Sequence, residues 1–211
     1  MAGEIATKWL IMMDKDSAFS TFTVATTYVK GLLAAFEIMN LKVEALLAYA
    51  KITPAQLAVP DNRIELSRLK LLWQSAIEMN GATINGADII GLEVGQQMPA
   101  GHLGLLEMLA SNSETLGEVF ESALDYWRLI SDTGKQFRIT PSDEVVTFSF
   151  KSPFFNLPQA NEADMVYLER RIKLLLGSDV NPINYQLSHS KHGDLTDDDY
   201  KKYFSAPILF D

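Results

Sequence analysis

Residues 99–131 constrain the fold of this chain more than any other stretch. They read as two helices joined by a short polar turn. In the second, Leu116, Val119, Phe120, Ala123, Leu124, Trp127 and Ile130 recur at helical spacing. They form one wide apolar face that needs a partner. Thr115 precedes the run and Glu118 stands at the spacing of a capping box. Upstream, Leu103, Leu105, Leu106 and Leu109 crowd a short helix opened by Pro99 and Gly101. A helix so apolar is expected to be buried on most sides. The pair is therefore predicted to lie in the core, with other elements wrapped over it.

The preceding residues supply the wrapping. A helix is predicted from about Val24 to Met39, with Tyr28, Val29, Leu32, Leu33 and Phe36 on one face and Asn40 as its stop. A short helix follows over Val43–Ala50. Thr53-Pro54 then reads as an N-cap with first-turn proline. Residues 64–80 form another helix, in which Leu66, Leu69, Trp73, Ala76 and Ile77 repeat and Asn80-Gly81 ends the run. Gly86 to Gly95 spans a short helix weakened by glycines, which are expected to allow close packing against the central pair.

After Ser131 the pattern changes. Phe137-Arg-Ile-Thr and Val145-Val-Thr-Phe-Ser-Phe are β-branched and aromatic, with a turn between them, and predict two antiparallel strands. Residues 162–176 return to helix. Ile183 to His189 alternates as a strand, Thr196 opens a short helix with an acidic first turn, and Ile208-Leu-Phe is a last strand. Helices first, then strands mixed with helices, argue for an α+β fold: a helix-rich single domain with a small, mostly antiparallel sheet. Residues 1–22 are expected to be a lead-in segment and 23–211 the domain. The apolar patch Trp9–Met13 is open between a first strand and a helix tip.

Composition removes several function classes. The chain has 211 residues, of which 47% are hydrophobic and 21% charged, which suits a packed domain rather than disorder. A formal net charge of −9 suits phosphate binding poorly, so DNA contact by this chain itself is not expected. The absence of cysteine excludes disulfides and thiolate metal sites. The apolar patch is too short for a signal peptide, and no run approaches a membrane span, so a cytoplasmic protein without membrane contact is expected.

No enzyme signature is present: no Gly-x-Ser-x-Gly, no phosphate-binding glycine loop, no His-Glu-x-x-His. His189 and His192 lie close in sequence with Asp194 nearby, but strand-to-loop spacing is not expected to bring both rings to one face, so no metal is assigned. Asp197-Asp198-Asp199 lacks the alternation of a calcium loop and reads as a helix start. The aromatic set Trp73, Tyr126, Trp127, Phe148 and Phe150 suits either an apolar pocket or a core. Tyr126 and Arg128 flank Trp127, and one of them is a candidate to reach inward. His102 is open between a cavity or haem-holding role and a partly buried place at a helix start. The candidate effector-binding residues are thus Trp73, His102, Tyr126, Arg128 and Phe148, with no cofactor, no metal and no catalytic residue.

Several of these residues also carry a family resemblance. Arg63-Ile64, Leu72-Trp73, Gly91-Leu-Glu-Val-Gly, Gly101-His-Leu-Gly-Leu-Leu and Thr115-Leu-Gly-Glu occur in order, followed by Pro182, His189, Tyr200, Phe204, Ala206-Pro207 and Phe210-Asp211. From about Val24 to Asp211 the chain resembles the N-terminal, "arabinose-binding" effector domain of AraC-type bacterial transcription regulators. The resemblance implies a domain that binds a small-molecule effector, pairs as a homodimer and reaches DNA only through a C-terminal helix-turn-helix domain. Asp211 falls about where such regulators begin the connection to that domain, so the chain is expected to be the effector domain alone. Its apolar helices point to an apolar or amphipathic effector rather than a sugar. The alternative is a dimerisation or scaffolding module with no effector.

Overall fold

A computed structural model describes residues 22–59, 61–81, 86–133, 137–142, 145–150, 157–177 and 182–211, and the backbone of 8–13. The α+β reading holds. In chain order the elements are β1 (Lys8–Met13), β2 (Thr23–Ala25), α1 (Thr26–Ile38), α2 (Val43–Ala50), α3 (Pro54–Ala58), β3 (Arg63–Glu65), α4 (Leu66–Asn80) and α5 (Gly86–Gln97). Then come α6 (Leu105–Ser111), α7 (Leu116–Tyr126), a 3-10 turn (Trp127–Leu129), β4 (Phe137–Pro141), β5 (Val145–Phe150), α8 (Pro158–Leu176), β6 (Asn184–Leu187), α9 (Asp197–Tyr200) and β7 (Ile208–Phe210). Among the described residues no helix is long and apolar enough to cross a membrane.

The sheet corrects one expectation. Its strand order is β4-β5-β1-β6-β7, and only β4–β5 is antiparallel; β1–β5, β1–β6 and β6–β7 all run parallel. β4 and β5 are adjacent in sequence, and Ser142 N–H donates to the Val145 carbonyl at 2.8 Å. The other strands are separated by helices, and such crossovers return the chain in the same direction. A small second sheet pairs β2 with β3 antiparallel. Arg63 fastens it: its Nε donates to Thr23 Oγ1 at 2.7 Å, and its Nη2 to the carbonyls of Thr23 and Ile130 at 3.2 and 3.4 Å.

The apolar faces of α1, α2 and α4 form a helical core, in which Phe36 and Trp73 meet edge to face at 5.6 Å. A second core lies between α7, α8 and the larger sheet. The glycines of α5 do permit a close approach, but to α8 rather than to the α6–α7 pair. A Cβ at Gly91 would stand 2.3 Å from the Gln159 carbonyl oxygen, and one at Gly95 2.5 Å from that of Ala163. Arg170 of α8 closes the same crossing by donating to the carbonyls of Gly95 and Met98 at 2.9 and 3.2 Å. Alanine is the better helix former, yet Gly91→Ala is expected to lose about 1–3 kcal/mol because two backbones must separate. A lowered urea midpoint checks this.

The α6–α7 pair is not wrapped. Leu105 and Met108 are 51% and 60% exposed, and α7 buries Leu116, Val119 and Phe120 while Tyr126 stays outside. The reason is geometric: leucines surround α6, so any placement against a single neighbour leaves some of them in solvent. The α7 cap forms half of the expected box. Thr115 Oγ1 accepts from Glu118 N–H at 3.2 Å, but the Glu118 carboxylate accepts from Glu114 N–H at 2.7 Å.

Candidate functional site

Helix α8 determines what the interior can do. It starts at Pro158, whose fixed φ suits a first turn and whose missing N–H has no partner to lose there. Its burial is unusual, for Asn161, Glu162 and Glu169 are buried along with Ala163, Met165 and Val166. Buried charges persist only when paired. Here tyrosines from other elements donate to carboxylates: Tyr28 to Asp164 at 2.8 Å, Tyr200 to Glu162 at 2.8 Å, and Tyr185 to Glu169.

A cavity of about 120 Å³ opens beside this helix, walled by α6, α7, β5 and α8, with Tyr28 of α1 also in its lining. Two groups of side chains contribute to its lining. One is aromatic, with Phe120 and Phe148 stacked at 3.8 Å and Trp127 set edge-on to Phe150 at 5.8 Å. The other is polar. Glu107 Oε1 meets Arg171 Nη2 at 2.7 Å, while Glu107 Oε2 accepts from the Tyr167 hydroxyl at 3.0 Å and from Gly101 N–H at 2.7 Å. His102 packs on Tyr167 with ring centres 4.3 Å apart. His102 Nδ1 lies 2.6 Å from the Pro99 carbonyl oxygen. A carbonyl only accepts, so Nδ1 carries the hydrogen and Nε2 presents a lone pair. Burial lowers the pKa of this ring and keeps it neutral. His102 Nε2 and Arg171 Nε have no hydrogen-bond partner.

Two of the five candidate residues, His102 and Phe148, line this cavity. Trp73 does not: it is fully buried in the helical core. Tyr126 is 46% exposed, and Arg128 lies exposed in the 3-10 turn, its carbonyl within 3.5 Å of Arg63 Nη1. The residue between them, Trp127, turns inward to the cavity. Glu107, Tyr167, Arg171, Asp164 and Tyr28 were not singled out by the sequence. The signal available was a lone glutamate inside the leucine-rich α6, and polar residues on every side of α8.

His189 and His192 also depart from expectation. The strand β6 ends at Leu187, so both histidines lie in the loop beyond it, and the loop stacks their rings 5.0 Å apart. They share one face after all.

Asp164 gives the cavity a pH response. Burial pushes its carboxyl up to about 7, against the lowering effect of the Tyr28 hydrogen bond. The folded chain therefore holds this proton more tightly than the unfolded chain, whose carboxyl titrates near 3.8. The stability contributed is complete below that value and is lost as the pH rises through about 7. Buried histidines act in the opposite sense, so the readout is a difference. The stability of wild type relative to Asp164→Asn is expected to fall between acidic and neutral pH, measured by urea denaturation across that range.

These features define a helix-rich α+β domain with a largely apolar cavity beside a buried polar cluster. A family model, the N-terminal arabinose-binding domain of AraC transcription regulators, matches residues 41–211, and the chain belongs to that family. It is thus a ligand-sensing regulatory domain of the kind found in transcription regulators. No curated protein matches the chain.

Proposed function

We propose that this domain senses a small amphipathic molecule held in the cavity between α6, α7, β5 and α8, and acts as a regulatory domain rather than an enzyme. The observation that carries the reading is an apolar cavity lined in part by residues with buried, unpartnered polar atoms. An apolar body fits against Phe120, Phe148, Trp127 and Phe150. A head group that donates to His102 Nε2 and accepts from Arg171 Nε would satisfy the two unpartnered polar atoms. A short amide, alcohol or protonated acid has that chemistry. The size agrees, since a cavity of roughly 150 Å³ takes one benzene ring.

The family is named for arabinose. A sugar needs many hydrogen-bonding partners, whereas here Glu107, Arg171 and Tyr167, and likewise Tyr28 and Asp164, largely satisfy one another. An amphipath is the better match.

Occupancy would act by population shift. The effector favours one arrangement of the α6–α7 pair over the polar helix α8, and an attached DNA-binding domain is presented differently as a result. The setting is the cytoplasm, with DNA reached through that attached domain. Homodimer formation belongs to the same reading, because Leu105, Met108, Tyr126 and Leu129 are large apolar side chains left exposed on α6, α7 and the 3-10 turn.

The test is thermal melting with straight-chain acids, amides and alcohols from propyl to hexyl, with L-arabinose alongside. A concentration-dependent rise in Tm is expected for the amphipaths and not for arabinose. The rise is expected to vanish in Ala123→Phe, which fills the cavity. Stabilisation by arabinose alone overturns the proposal.

A further inference from the structure

A second cluster of buried polar groups lies at the start of α8, with no part in the cavity. Glu162 is fully buried. His192 Nε2 stands 3.8 Å from its Oε1, and one ligand atom from each of Glu162, His189 and His192 lies within 4.8 Å of the others. Glu162 Oε2, His189 Nε2 and His192 Nε2 are all buried without a hydrogen-bond partner. One such orphan costs about 1–3 kcal/mol. Orphans on three residues whose ligand atoms lie this close together indicate a shared partner.

The hydrogen-bond pattern says what that partner is. His189 Nδ1 lies 2.9 Å from the Ser190 carbonyl oxygen, which can only accept. The hydrogen therefore sits on Nδ1, and Nε2 offers a lone pair. The Tyr200 hydroxyl donates to Glu162 Oε1 and leaves Oε2 free. Asp88 of α5 reaches the same loop, where its Oδ2 would stand 2.1 Å from a Cβ at Gly193. Lone pairs held within a few ångströms of one another call for a cation.

We propose that Glu162, His189 and His192 bind one divalent transition-metal ion of the zinc class. Two imidazoles, one carboxylate and an open position for water form a recurrent ligand set for such ions. Metal bonds of about 2.0–2.1 Å set tetrahedral ligand atoms about 3.4 Å apart, so the cluster closes by about an ångström on binding. Both histidines lie in the loop between β6 and α9, where that adjustment is available. The Ser190 carbonyl and the Tyr200 hydroxyl serve as the outer partners that orient ligands in such sites. The ion ties the loop after β6 to α8.

The experiment takes the 211-residue chain, strips it with a chelator and titrates it with Co2+, read by visible absorption and elemental analysis. One equivalent is expected, with ligand-field bands, displacement by Zn2+ and a raised Tm. His189→Ala and His192→Ala are each expected to weaken affinity by more than about a hundredfold, the upper end for losing an outer partner. Glu162→Gln is expected to do the same, and circular dichroism of the metal-free variants reports their folding. The histidine variants keep the test alive should Glu162→Gln fail to fold. Folded wild type that takes up no stoichiometric ion overturns the proposal. So does uptake that survives unchanged in the His189→Ala/His192→Ala double variant.

Discussion

Replacing Glu107 by alanine is expected to cost about 3–5 kcal/mol of folding stability, because it strands a charge. Glu107 and Arg171 side chains are 7% and 14% exposed, and they meet at 2.7 Å. The same carboxylate holds the Tyr167 hydroxyl and Gly101 N–H. Without it, the Arg171 guanidinium faces a mostly apolar cavity, and the turn leading into α6 loses its anchor. The cause is separable from lost packing. Glu107→Leu combined with Arg171→Leu removes both charges and is expected to recover most of the loss, since a buried pair replaced as a whole is often close to neutral. Chemical denaturation of wild type, the single variant and the double variant decides it. An additive double variant would show that the ion pair is not the source.

Trp73→Ala is expected to cost a similar 3–5 kcal/mol, by a different route. Trp73 is fully buried among α1, α2 and α4 and touches Phe36 edge-on. Truncation removes the largest side chain of the helical core and leaves a void that rigid helices fill poorly. Trp73→Phe is the informative control. The indole Nε1 is buried without a hydrogen-bond partner, and such an orphan costs about 1–3 kcal/mol. Phenylalanine loses volume but also removes that donor, so its cost is expected to be much smaller. Because Trp73 does not line the cavity, Trp73→Phe is expected to leave the Tm shift from an amphipath intact.

Helices with a single apolar stripe were readable from the sequence. The periodicity of Leu66, Leu69, Trp73 and Ala76 gives α4, and Thr53-Pro54 gives the start of α3. The full capping box of α3, with Gln56 N–H on Thr53 Oγ1 at 3.2 Å, is local chemistry. What was not readable depends on partners far away in the chain. The direction of β6 and β7 follows from crossovers, not from their own alternation. Helix α8 begins at Pro158, ahead of the expected start at residue 162, because a proline in a first turn carries no apolar periodicity. Its polar residues suggest a solvated face, and only tyrosines from α1, β6 and α9 turn them into interior residues. The cavity was half legible for the same reason. Phe148 and His102 stand in recognisable patterns, whereas Glu107 and Arg171 become site residues only through each other.

The place of β1 in the sheet has a consequence for how the molecule is made. This strand pairs with β5 on one side and β6 on the other, both from the far part of the chain. Contacts of such long sequence separation slow folding, because the loop must close before the pairing rewards it. During synthesis Trp9-Leu-Ile-Met-Met leaves the ribosome long before either neighbour exists. The helical core of α1, α2 and α4 can assemble in the meantime, but the apolar segment ahead of it waits unpaired, a target for chaperones and for mispairing. The central place of β1 in the sheet is thus filled only once β5 and β6 have been made.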